Sequence, residues 1–139
     1  MAAIKELIFT EEDGGLSFGD YELGKKTKRD GYEHDGDIYK VKTFSGITRL
    51  ERNELFVYES VPGTAVHDFG YTEEGLEFYV EGPEDAQITI EGEEDAAYTV
   101  LVDGRMHGIQ RTGLGGKLTF GVELGEGKLA LVQVRRVEA

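Results

Sequence analysis

Hydrophobic and polar residues alternate with a period of two along most of the chain. Near the C-terminus, Tyr98, Val100 and Val102 alternate with Thr99, Leu101 and Asp103. Leu118, Phe120, Val122 and Leu124 alternate with Lys117, Thr119, Gly121 and Glu123, and Ala130, Val132 and Val134 close the series. This period predicts strands with one buried and one wet face. Asp103-Gly104 sits between two such runs, which is a hairpin signal. The rhythm starts at Leu76, where Leu76, Phe78 and Val80 oppose Glu77, Tyr79 and Glu81. Glu81-Gly82-Pro83-Glu84-Asp85-Ala86 then returns ten residues later as Glu91-Gly92-Glu93-Glu94-Asp95-Ala96. One strand plus one turn takes about ten residues in an all-β chain, so the repeat reads as a hairpin device used twice. A C-terminal meander from about residue 76 to 135 is therefore expected, with the rest of the chain packed against it.

Upstream, Ile4 to Thr10 and the run of Leu16, Phe18 and Tyr21 read as strands around an acidic turn, Glu11 to Gly15. Lys25-Lys26-Thr27-Lys28-Arg29 reads as a solvated loop. Asp30 to Asp37 reads as two tight turns around Tyr32, because it lacks the oxygen-ligand spacing of a calcium loop. Ile38 to Phe44 and Ile47 to Arg52 alternate, whereas Leu55 to Glu59 carries apolar residues in succession, as a central strand does. Pro62-Gly63 fits a type II turn. No segment shows a sustained helical period. About twelve short strands at this spacing predict one all-β domain over residues 1–139. The expected form is an antiparallel β-sandwich, jelly-roll-like or Ig-like. Its core would hold Phe56, Tyr58, Val66, Phe78, Val80, Ile88, Ile90, Val100, Val102, Phe120, Val122, Val132 and Val134.

Composition sharpens this picture. The chain has 139 residues, 20 glycines against 2 prolines, and no cysteine, which excludes disulfides and thiolate chemistry. A net charge of −13 sets up a field that repels nucleic acid and anionic membranes. No run is apolar enough for a membrane helix, and the N-terminus has no signal-like apolar region, so a cytoplasmic location is expected.

Motifs for chemistry are few. His34, His67 and His107 do not stand at metal-ligand spacings from one another. There is no Gly-x-Ser-x-Gly elbow and no Walker loop; Gly113 to Thr119 leads into a strand and lacks a helix N-terminus for phosphate. No motif implies a cofactor or metal ion. The chain has seven tyrosines, and Tyr32, Tyr71 and Tyr79 are the rings expected to stay exposed and available for stacking on a sugar. Tyr79 would stand between Glu77 and Glu81 on a wet face. Arg105, His107 and Arg111 form a small positive patch, suited to docking an acidic turn such as Glu93-Glu94-Asp95 of a second copy.

Phe56 to Val66 (Phe-Val-Tyr-Glu-Ser-Val-Pro-Gly-Thr-Ala-Val), together with Lys5 to Glu12, resembles a group of small acidic clostridial proteins carried under the label endosialidase. The resemblance covers most of the chain and implies a small bacterial protein of that group. Sialidases use Ser-x-Asp-x-Gly-x-x-Trp boxes, and a chain without tryptophan has none, so the activity is not carried over. The expectation is a non-enzymatic binding or self-assembly module, partnered by a protein, by its own copies or by carbohydrate. A carbohydrate-binding module is the second reading and a small glycan-active hydrolase the third.

Overall fold

The computed structural model describes residues 3–137. Among the described residues, thirteen strands form two packed antiparallel sheets: β1 (Ile8–Thr10), β2 (Leu16–Phe18), β3 (Thr27–His34), β4 (Asp37–Phe44), β5 (Ile47–Arg52), β6 (Leu55–Val61), β7 (Ala65–Tyr71), β8 (Gly75–Glu81), β9 (Ala86–Glu91), β10 (Ala97–Val102), β11 (Arg105–Arg111), β12 (Lys117–Val122) and β13 (Leu129–Arg136). The seven-stranded sheet runs β1-β2-β7-β8-β13-β10-β11, and the six-stranded sheet runs β12-β9-β6-β5-β4-β3. The chain is thus a β-sandwich, as the alternation predicts. No helix among the described residues is long and apolar enough to cross a membrane.

The expected core is buried except at Phe56. A register shift beside Leu50 puts both Val57 and Tyr58 inside. Phe56 then lies on the outer side of the sheet, where Arg49 and Lys117 stand over its ring at 5.2 and 4.6 Å. Buried hydroxyls fill the seam between β6 and β7. The Tyr58 and Ser60 hydroxyls meet Thr64 Oγ1 at 2.9 and 2.8 Å, and Thr48 Oγ1 donates to the Thr64 carbonyl at 2.8 Å. These bonds satisfy polar groups that would otherwise cost free energy in the interior. The Val61-Pro62 bond beside them is cis. Gly63 is not in the left-handed region expected of a type II turn. It is glycine for space, since a Cβ there would meet the Phe44 carbonyl oxygen at 2.1 Å.

The segment from about 76 to 135 is not a meander. Its strands pair as β8 with β13, β9 with β12 and β10 with β11. This is one long hairpin with its tip at Asp103-Gly104, rolled across both sheets in jelly-roll fashion. The repeated acidic turns are therefore not hairpins. Each carries the chain from one sheet to the other, from β8 to β9 and from β9 to β10. The shared aspartate tethers each crossing to the crossing of the opposite arm. Leu124 N donates to Asp85 Oδ1 at 2.9 Å. Arg111 Nε donates to Asp95 Oδ1 at 3.0 Å, and Asp95 N donates to the Gly113 carbonyl at 3.2 Å. Asp85→Ala should cost about 1–2 kcal/mol in a urea melt, because it strips a charged acceptor from a backbone N–H. An unchanged midpoint would show that the tether contributes nothing.

The meander lies elsewhere, in β3-β4-β5-β6 of the six-stranded sheet. Its first strand contains Lys28 and Arg29, so that part of the basic run is strand rather than loop. β3 ends its sheet, is exposed along most of both sides, and bulges at Asp30-Gly31.

Candidate functional site

The seven-stranded sheet carries a bulge in β7. Register with β8 slips between His67 and Gly70. Asp68 there takes φ 60°, which a non-glycine residue adopts at a cost. The Glu11–Gly15 turn folds over this bulge. Gly15 makes the approach possible, since a Cβ on it would fall 2.0 Å from Asp68 Oδ1.

Around the bulge a cleft of about 460 Å³ opens between the β1–β2 turn, the β3–β4 hairpin, the ends of β5 and β7 and the middle of β8. Asp13, His34, Asp35, Asp37, Asp68 and Glu77 contribute polar groups to it. Tyr39, Tyr71 and Tyr79 bring rings, and Arg52 brings a guanidinium. That size and mixture suit a small polar ligand. Tyr71 and Tyr79 remain 49% and 38% exposed, as the sequence predicts. Arg52 lies 4.9 Å above the centre of the Tyr71 ring, and Phe69 stands perpendicular to that ring with 5.7 Å between ring centres. One ring face is thus held by a cation and the ring orientation is set from two sides.

Electrostatics set Asp68 apart. Its Oδ1 is buried and has no hydrogen-bond partner among the described residues. Burial, followed by the facing carboxyls of Asp13 and Glu11, pushes its pKa up to about 6. Asp13 moves the other way, held below the ordinary carboxylate range by the Gly15 backbone N–H, which donates to Asp13 Oδ1 at 3.0 Å. Burial also raises the hydroxyl pKa values of Tyr39 and Tyr71.

Tyr32 does not line this cleft. It is half-buried, with Arg29 5.2 Å above its ring, and its hydroxyl meets Thr10 Oγ1 at 2.9 Å. The same Thr10 oxygen reaches His34 Nδ1 at 2.9 Å, so Tyr32 braces the histidine that lines the cleft. Glu81 is not on a wet face. It is buried, with Oε2 2.8 Å from His67 Nε2, and it accepts from the Tyr21 hydroxyl at 3.2 Å. Burial and Glu81 push the Tyr21 pKa up to about 12.

Arg105, His107 and Arg111 lie on β11, which ends the seven-stranded sheet on the side away from β1 and β2. Arg111 is engaged within its own chain by Asp95, and Glu93 of the same acidic turn pairs with Arg136. Among the described residues, no group of three or more His, Cys, Asp or Glu side chains converges in a way that could hold a metal ion.

Arg52, Asp13 and Asp68 line the cleft without any motif that marks them in the sequence, and His34, which stands at no metal-ligand spacing, joins them there. The one local signal is Asp68-Phe69-Gly70 inside a strand pattern, because an isolated glycine there suggests a bulge. No family model, curated protein or solved structure matches the chain.

Proposed function

We propose that the protein is a non-enzymatic carbohydrate-binding module whose ligand occupies the cleft around the β7 bulge. The observation that carries this reading is the convergence there of two half-exposed rings, Tyr71 and Tyr79, with Arg52 and several carboxyl groups. A pyranose presents a C–H face that packs on an aromatic ring, and a rim of hydroxyls that both donate and accept. Tyrosine rings serve the face; carboxylates and a guanidinium serve the rim. The tyrosines come from strands of one sheet and Arg52 from the other, so both sheets hold the site rigid.

A panel of neutral sugars titrated against intrinsic tyrosine fluorescence tests the reading, with no tryptophan to mask the signal. Tyr79→Ala should weaken the responding sugar by about 5–10-fold, the equivalent of losing one stacking contact of about 1–1.5 kcal/mol. Its melting temperature should stay close to that of the parent, since the half-exposed ring lies outside the buried core. No response across sugar classes, or full affinity in Tyr79→Ala, removes the reading.

Self-association is the second reading. It is favoured by Met106 and Ile109, which are 60% and 59% exposed on the edge strand β11. Light scattering at low and high salt discriminates: a monomer in both, at tens of micromolar, leaves β11 without a partner of its own kind.

A further inference from the structure

A second cleft, of about 340 Å³, adjoins the first and shares Arg52, Tyr71 and Thr72 with it. Its far wall comes from Glu91 and Gly92 at the end of β9, and from Tyr98 and Arg136 on β10 and β13. The stacked Arg52–Tyr71 pair is thus a ridge between two hollows at the open end of the sandwich. Residues from both sheets build it: Arg52 ends β5 in one, and Tyr71 ends β7 in the other. Arg52, like Arg29 and Arg105, forms no salt bridge among the described residues, whereas Arg49, Arg111, Arg135 and Arg136 each do. A guanidinium fork fixed by ring stacking, facing the Tyr39 and Tyr71 hydroxyls and unmatched by a carboxylate, keeps its remaining donors directed at the crest.

We infer that the ligand is a linear oligosaccharide rather than a single sugar, laid across the Arg52–Tyr71 ridge with units in both hollows. This rests on the carbohydrate reading and extends it. A monosaccharide would fill one hollow and leave the other wet. A chain spanning both would gain the second set of contacts at the small entropic cost of an already tethered unit. The ridge supplies what such a chain needs at its middle: donors from Arg52 for ring and bridging oxygens, and the edge of a fixed aromatic plate. Both ends are walled by polar side chains, Asp13 and Glu77 in the first hollow, Glu91 and Arg136 in the second.

The test is calorimetric titration with cello-, xylo-, manno-, malto- and chito-oligosaccharides of one to six units. For the series that binds, affinity should rise at least 10-fold from one unit to three or four and then level off. Glu91→Gln, confined to the second hollow, should weaken the tetrasaccharide about 5-fold and leave the monosaccharide unchanged. Tyr79→Ala, confined to the first, should weaken both. Thermal melts of each variant confirm the fold. Affinity independent of length, with Glu91→Gln silent and Tyr79→Ala weakened, would overturn the two-hollow site and leave the single-cleft reading standing. No binding by any series at any length would overturn both.

Discussion

Phe78→Ala should lower stability by about 3–5 kcal/mol and bring the melting temperature down by roughly 10–15 °C. Phe78 is fully buried at the centre of the sandwich. Its ring meets Tyr58 edge-on at 5.6 Å and Phe69 at a tilt, also at 5.6 Å. Phe18 closes the group, edge-on to Tyr58 at 5.3 Å and to Phe69 at 5.8 Å. Three of these rings come from the seven-stranded sheet and Tyr58 comes from the other, so the group holds the two sheets together. The Tyr58 hydroxyl is also committed to Thr64, so the ring cannot slide to fill the space that Phe78 leaves. A cavity therefore remains and adds to the lost transfer free energy. Phe120→Ala should cost less, because its strand, β12, is the last of its sheet and Phe120 keeps some exposure. Urea and thermal melts followed by far-ultraviolet circular dichroism rank the two. A Phe78→Ala melt within a few degrees of the parent would mean that these rings are not what holds the sheets together.

Inside and outside were legible in the sequence wherever a strand has one wet face. Tyr98, Val100 and Val102, or Leu118, Phe120 and Val122, alternate in the chain and alternate in burial. Partnership between strands was not legible. A hairpin turn and a sheet-to-sheet crossing both call for glycine, acidic side chains and a buried alanine, so Glu81 to Ala86 and Glu91 to Ala96 cannot declare which they are. What makes them crossings is β13 and β12 lying alongside, and that information sits up to sixty residues away, as in Arg135 opposite Gly75. β3 was hidden for another reason: its polar residues bury no continuous face, so period-two reasoning has nothing to detect. The cleft was half visible. Tyr71 and Tyr79 could be named as exposed rings, but Arg52 and His34 reach them only because β5 and the β3–β4 hairpin open onto the same end of the sandwich. Glu81 falls on the polar side of the alternation, which cannot foresee that the segment holding Tyr21 covers the outer side of β8.

Asp68→Asn should make the protein more stable at pH above about 7 and leave it nearly unchanged near pH 4. In the folded chain Asp68 titrates at about 6, against 3.8 for an ordinary aspartate. The folded state therefore binds this proton more tightly than the unfolded state does. Its contribution is fully present below about pH 4 and is lost as the pH rises through about 6. Above that window the ionised carboxylate is held half-buried against Asp13 and Glu11, at a net cost. The cleft is open to water and screens part of that repulsion, so the gain from the amide is about 1 kcal/mol rather than the full equivalent of the pKa shift. Asparagine is the informative replacement because it tolerates φ 60°, which alanine would adopt only with strain. Asp13 works in the opposite sense. Its depressed pKa contributes stability above the ordinary aspartate range that is lost as the pH falls through its folded value; the Gly15 N–H that mainly holds it down is present in both proteins, and the smaller part due to Asp68 changes with the substitution. Taking the difference between parent and Asp68→Asn at each pH removes the groups remote from the cleft and reports residue 68 together with the Asp13 carboxyl that faces it. The stability difference should grow from near zero at about pH 4 to its full value by about pH 7. A difference that is flat with pH, or one that favours aspartate at high pH, would show that Asp68 is not the strained acid of this cleft.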